Sequence, residues 1–208
     1  MDHKYYIILG VGLLAQVFFS ARVIIQWILS ERARQVLSPS LFWVFSLAGA
    51  FLLCLYGWLR DDFAIVLGQF VSYYIYLANL NMKGIWRKLP FYIQTVLTIT
   101  PIAAICFVAS HANEFISHFL HNEQVPLWLL IFGSAGQLLF TLRFVYQWLY
   151  SINKGESKLP EVFWIISLLG SLTIVSYGIL RSDIVLILGQ SFGIIAYVRN
   201  LCLLKKTN

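Results

Sequence analysis

RVIIQW at residues 22–27 returns as RFVYQW at residues 143–148, 121 positions further along the chain. In both copies an arginine, a glutamine and a tryptophan stand in the same order inside a stretch that is otherwise apolar. Extended outward, residues 12–80 align with 133–201 without a gap, and 24 of the 69 positions are identical. Self-similarity over that length marks an internal duplication. The identical pairs include Gln16/Gln137, Arg22/Arg143, Gln26/Gln147, Trp27/Trp148, Ser30/Ser151, Pro39/Pro160, Phe42/Phe163 and Trp43/Trp164. Further on come Tyr56/Tyr177, Gln69/Gln190, Tyr76/Tyr197 and Asn79/Asn200.

Composition fixes the solvent. With 60% apolar and 12% charged residues, and a mean hydropathy of +0.77, the chain carries about half the charge of a soluble domain. An all-α integral membrane protein is expected. A helix crosses about 30 Å of hydrocarbon with roughly 20 apolar residues, and seven segments meet that requirement: 5–29, 40–59, 63–82, 91–110, 126–150, 161–180 and 184–203. The first is too long for a signal peptide, carries Arg22 and lacks a small-residue cleavage site, so it is expected to stay as a span.

The net charge of +6 reflects topology, not nucleic-acid binding. Alternate loops carry nine Lys and Arg on one side and three on the other. The positive-inside rule therefore puts the N-terminus outside, in the periplasm of a bacterial inner membrane, and the C-terminus in the cytoplasm. Trp86 among Lys83, Arg87 and Lys88 suits an interfacial anchor.

Each repeat holds three spans, so a direct copy would emerge inverted; the unmatched segment 91–110 adds a crossing and restores the orientation. The expected domains are a first three-helix repeat at 1–82, a linker helix with an outer segment at 83–125, and a second repeat at 126–208. This three-one-three plan is that of SWEET-type transporters, whose substrate lies near the midplane. Tandem duplication supplies both halves, so a single chain is expected to suffice.

The order RxxxQWxxS, PxxFWxxSxxG, YGxLRxD, LGQ and YxxNL, present in both copies, resembles the lipid A biosynthesis N-terminal domain family, related to the SWEET and PQ-loop superfamily. The resemblance covers about two thirds of the chain. It implies a link to lipid A synthesis and, through fusions within the family, to a glycosyltransferase as a partner. The soluble glycosyltransferase domain of lipid-A-disaccharide synthase is absent from this sequence, so that activity is not carried over. The Pro-Gln dipeptide of PQ-loop proteins is also missing, since Gln16 follows Ala15 and Gln137 follows Gly136.

At about 100° per residue, Gln16, Arg22 and Gln26 fall within one helical sector, as do Gln137, Arg143 and Gln147. The third span of each repeat groups Gln69, Tyr73, Tyr76 and Asn79, and Gln190, Tyr197 and Asn200. Polar stripes in so apolar a bundle need partners, and a shared cavity would supply them. All nine acidic residues fall in loops or at span ends, so a carboxylate deep enough to neutralise Arg22 and Arg143 is not expected. A guanidinium fork suits phosphate. Tyr73 apart, these twelve residues are the candidate binding set, with an anionic lipid or lipid-linked sugar as ligand. Snorkelling of the arginines to the interface is the competing structural reading. The resemblance to SWEET-like proteins implies substrate contact for the two asparagines.

Trp27/Trp148 and Trp43/Trp164 are expected in the aromatic belt. Arg60 and Asp62, with Arg181 and Asp183, are expected to form a self-paired outer turn. Cys54, Cys106 and Cys202 are expected as buried free thiols. His111, His118 and His121 beside Glu114 and Glu123 read as an interfacial amphipathic helix, not a metal centre. No nucleophile or acid/base pair has the right company, so neither an enzyme nor a cofactor is expected. Three functions fit: a binding or transport module for a lipid-linked anion, a SWEET-like uniporter of a neutral sugar, and a membrane scaffold for a glycosyltransferase.

Overall fold

Seven apolar runs become seven α-helices in the computed structural model, which describes residues 3–59, 63–110, 126–180, 182 and 184–207. They are α1 (His3–Ala33), α2 (Ser40–Leu59), α3 (Phe63–Met82), α4 (Phe91–Ser110), α5 (Leu127–Lys154), α6 (Glu161–Leu180) and α7 (Ile184–Thr207). A 3-10 turn at Trp86–Lys88 precedes α4, and there is no strand among the described residues. The helices coincide with the expected segments, except that α1, α5 and α7 run past the apolar stretch at their C-termini. Glu31, Arg32, Lys154 and Lys205 carry them on, being good helix formers themselves. Two helical stretches, Tyr6–Ala33 and Glu161–Leu180, are long and apolar enough to cross a membrane. Large apolar side chains stand outward along the helices: Leu13, Ile131, Leu169 and Ile195 are each more than half exposed.

The chain divides into two compact units, Met1–Phe19 with Trp43–Gln124, and Ser20–Phe42 with Val125–Asn208. In the first, the N-terminal part of α1 lies close on α2: a Cβ at Gly12 would stand 2.8 Å from the Tyr56 ring, and Phe18 meets Phe45 at 5.7 Å. Trp43 packs on Tyr76 at 6.1 Å, and the Tyr74 hydroxyl donates to the Thr98 carbonyl of α4 at 2.7 Å. Gln94 Nε2 donates to the Trp86 and Leu89 carbonyls, which holds the 3-10 turn against the start of α4. The second unit repeats the pattern. Gly133 meets Tyr177 at the same 2.8 Å, and Trp164 packs on Tyr197 at 5.9 Å.

Trp43 and Trp164 are 0% and 1% exposed, so they are core residues and not belt anchors. Their large flat rings fill space against a tyrosine that the sequence alone did not pair with them. Cys54 is half-buried, while Cys106 and Cys202 lie on exposed faces and do not fill the interior as expected. The expected outer turns at Arg60/Asp62 and Arg181/Asp183, and the histidine segment, lie outside the described residues.

The first helix of each repeat ends in the left-handed region at the same repeat position. Gly155 closes α5 at φ 69°, its N–H donating to the Ile152 carbonyl, whereas α1 is followed by Arg34 at φ 54°. A non-glycine residue there crowds its own carbonyl, at a cost of about 1–2 kcal/mol. Arg34→Gly is expected to stabilise the protein by about 0.5–1 kcal/mol, net of the entropy glycine adds to the unfolded chain, and Gly155→Ala to destabilise it by about 1 kcal/mol. Equilibrium unfolding in mixed micelles measures both.

Candidate functional site: a cationic cavity with an amide clamp

Arg22 and Gln26, four residues apart on α1, share a helix face, as Arg143 and Gln147 do on α5. The glutamines act on the backbone. Gln147 Nε2 donates to Ser151 Oγ at 2.8 Å and to the Lys158 carbonyl at 2.9 Å, and the Lys158 N–H donates back to Ser151 Oγ at 3.1 Å. The first copy does the same: Gln26 Nε2 reaches Ser30 Oγ at 2.9 Å and the Leu37 carbonyl at 3.3 Å, and the Leu37 N–H donates to Ser30 Oγ at 3.0 Å. All four side chains are fully buried. The Gln and Ser of QWxxS therefore clamp the connecting loop two residues before Pro39 or Pro160, whose carbonyls accept the first N–H bonds of the next helix, from Phe42 and Phe163. The repeated motif thus sets where the second helix of each repeat begins. Beside the second clamp, Lys158 Nζ and Glu156 pair at 2.6 Å, and the hydrogen-bonding carboxylate raises the lysine pKa; both side chains are at least half exposed.

Gln26 also pairs with Asn200 in a reciprocal amide bond: Gln26 Nε2 donates to Asn200 Oδ1 at 2.8 Å, and Asn200 Nδ2 donates to Gln26 Oε1 at 3.1 Å. Asn200 Nδ2 further donates to the Ala196 carbonyl. Nearby, Arg199 forms a two-pronged ion pair with Glu31, whose Oε1 also accepts from Trp27 Nε1 at 3.2 Å. α7 is thereby tied to the C-terminal part of α1 by both an amide pair and a charge pair.

Within the second unit, Arg22, Val23, Gln26, Phe42, Arg143, Phe144, Phe163, Trp164 and Tyr197 surround a cavity. Its enclosed space is about 10 Å³, about one water's worth, and its free space is about 230 Å³ when the part open to the surroundings is counted. The two guanidiniums, on residues 6% and 5% exposed, share one aromatic ring. Arg22 Cζ lies 5.3 Å and Arg143 Cζ 4.7 Å from the centre of Phe144. Arg22 also lies over Phe42, and Arg143 over Phe140 and Phe163, while Arg143 Nη1 donates to the Tyr197 hydroxyl at 3.3 Å. No carboxylate is among the lining residues. Trp164 is one of the lining residues, and its indole Nε1 is buried with no hydrogen-bond partner.

Of the twelve candidate residues, four line this cavity: Arg22, Gln26, Arg143 and Tyr197. Gln147 and Asn200 are buried in the same unit, in the clamp and in the amide pair. Gln190, half-buried, accepts from Ser171 Oγ at 3.1 Å, and Gln137 is exposed on α5. The other four belong to the first unit: Gln16 is exposed, Gln69 half-buried, Tyr76 buried on Trp43, and Asn79 buried with its Nδ2 donating to the Ile75 carbonyl. Sequence reasoning missed Val23, Phe42, Phe144, Phe163 and Trp164 in the lining and Ser30 and Ser151 in the clamps. Identity between the copies already marked Phe163, Trp164 and both serines, but not Phe144, which stands opposite Val23. Among the described residues no group of three His, Cys, Asp or Glu could hold a metal.

Fold and site together define a tandem-repeat helical protein with a buried cationic cavity. The chain belongs to the lipid A biosynthesis N-terminal domain family, which matches residues 11–81 and again residues 132–202. It is 31% identical over 207 residues to a lipid-A-disaccharide synthase of Chlamydia pneumoniae, covering 97% of this chain and 34% of that one. It is 28% identical to that of Chlamydia felis, covering 98% and 34%, and 31% identical to that of Chlamydia abortus, covering 94% and 33%. The chain thus spans about a third of the length of the curated relatives it matches. No solved structure matches significantly.

Ser151→Ala removes the acceptor of the Lys158 N–H and one acceptor of Gln147. It is expected to destabilise the protein by about 1 kcal/mol and to speed hydrogen exchange at the Lys158 amide, with exchange in the body of α6 unchanged.

Proposed function

We propose that the chain is a seven-span protein of a bacterial inner membrane, arranged as three, one and three spans with a periplasmic N-terminus and a cytoplasmic C-terminus. In this reading its cavity binds the anionic head group of a lipid or lipid-linked sugar used in lipid A assembly, and presents or moves it across the membrane. The observation that carries the proposal is the pair of buried guanidiniums on one phenylalanine ring, in a lining without a carboxylate. Aromatic faces offset burial of a cation by about 0.5–2 kcal/mol each. They do not cancel the mutual repulsion of two like charges held near one ring. An anion would relieve both. The apolar composition, the outward-facing Leu and Ile side chains and the basic bias of alternate loops support the membrane setting. The family and its relatives' name support the link to lipid A.

A neutral-sugar uniporter would draw on Asn79 and Asn200. The Asn200 amide is engaged with Gln26 and Ala196, which gives that reading less to work with. A scaffold that recruits a glycosyltransferase draws support from the partial coverage of relatives named lipid-A-disaccharide synthase, and it is compatible with a head-group site.

In nanodiscs, the protein is expected to bind phosphate-bearing lipids from a panel of a phosphorylated lipid A precursor and an undecaprenyl-phosphate-linked sugar, and not free glucose. The Arg22→Gln/Arg143→Gln double variant should weaken that binding at least tenfold while circular dichroism shows the helices intact. Glucose movement in proteoliposomes that is indifferent to the double variant, with no lipid bound, would overturn the head-group reading.

A further inference from the structure

Arg87 and Lys88 in the 3-10 turn, and Phe91 and Tyr92 at the start of α4, take no part in the cavity lining or the clamps, and all four are exposed. The two rings are 82% and 68% exposed. Exposure continues along α4 through Val96 and Ile99, at 59% and 54%, and steps of four and then three residues keep both on the face of Tyr92. The turn itself is fixed. Gln94 Nε2 donates to the carbonyls of Trp86, at 3.1 Å, and Leu89, at 2.9 Å, one on each side of the two cations, which engages both N–H bonds of the amide. We infer that this turn and stripe form a phospholipid site separate from the cavity, with an anionic head group on Arg87 and Lys88 and an acyl chain along Tyr92, Val96 and Ile99.

Charge and shape each bear on the occupant. Among the described residues of the first unit none is acidic; Asp2, Asp61, Asp62, Glu114 and Glu123 lie outside them. In the second unit, by contrast, Lys158 and Arg199 have Glu156 and Glu31. A soluble phosphate or an acidic protein surface would engage the cations of the turn and leave the apolar stripe uncovered. A phospholipid covers both, since Tyr92 to Ile99 spans about 10 Å of helix, less than the length of an acyl chain. The inference rests on the membrane setting proposed above, in which this end of α4 lies on the basic, cytoplasmic side. A turn held at two carbonyls is preorganised for one head-group geometry, whereas a loose basic loop adds only diffuse surface charge.

The probes are acyl-brominated phosphatidylglycerol, which is anionic, and acyl-brominated phosphatidylcholine, which is not, each titrated into nanodiscs of plain phosphatidylcholine holding the full chain. The readout is quenching of Trp86, taken as the difference between the wild type and Trp86→Phe. Phosphatidylglycerol should quench at about tenfold lower mole fraction than phosphatidylcholine, and should do so equally in the Arg22→Gln/Arg143→Gln variant, which separates this site from the cavity. Arg87→Gln/Lys88→Gln, at two exposed positions, should abolish the preference while quenching by phosphatidylcholine persists. Gln94→Leu keeps both charges and frees the turn, and should reduce the preference at least threefold with helix content unchanged by circular dichroism. A preference untouched by Gln94→Leu would overturn a defined site in favour of diffuse charge. Equal quenching by the two lipids would overturn the proposal and leave the membrane setting standing; if a polyglutamate peptide then bound through Arg87 and Lys88, the turn would belong to an acidic protein partner. A chain that fails to enter nanodiscs and is quenched by neither lipid would overturn the membrane setting as well.

Discussion

A glutamine side chain that reaches eleven residues ahead to a loop carbonyl is the contact on which the rest of each repeat hangs. In so apolar a bundle, polar groups have few partners other than one another, and Gln26 and Gln147 answer that constraint by holding the connection between the first and second helices. A serine one turn further on closes the same ring of bonds from the other side. Once the loop is fixed, the start of the next helix is fixed, and with it the register that lays Trp164 on Tyr197 in one unit and Trp43 on Tyr76 in the other. Duplication kept this arrangement in both copies because the helix entry needs it twice.

The arginines beside the glutamines do something else. Where the glutamines are satisfied by backbone and serine, the guanidiniums rest on aromatic faces and, for Arg143, on a tyrosine hydroxyl. The ring common to both is Phe144, and the first copy has Val23 in its place. The cavity is therefore not a simple consequence of the repeat: it depends on one aromatic residue that a single copy carries. The Glu31–Arg199 pair has the same character, since its repeat counterparts are Ile152 and Ala78. Symmetry supplies the frame, and departures from symmetry supply the chemistry.

The helices were legible almost to the residue because apolar runs bounded by Pro, Gly and charged residues leave little choice in where a helix begins. What hydropathy could not give was the last turn of α1, α5 and α7, where good helix formers continue past the apolar stretch. The candidate site was half legible. The helical sector that placed Arg22 with Gln26 was right about their shared buried face, yet Gln16, put in the same sector, is exposed. A sector of about 120° is wider than the strip of one helix that its neighbours cover. Trp43 and Trp164 were misplaced because aromatic residues near span ends belong to interface or core according to what packs on them, and that is a tertiary fact. Phe144 was invisible because nothing in a phenylalanine among apolar residues says that two cations lie on it.

The two ties between α1 and α7 differ in kind. Glu31 and Arg199 hold each other by charge, on partly exposed side chains, and added salt weakens such a bond. Gln26 and Asn200 exchange two hydrogen bonds between neutral amides that are fully buried. No proton equilibrium in the physiological range touches that pair, and no ion screens it. The attachment of the last helix thus has one component tuned by its surroundings and one indifferent to them, so salt can loosen the grip at the surface while the seam beneath keeps its register.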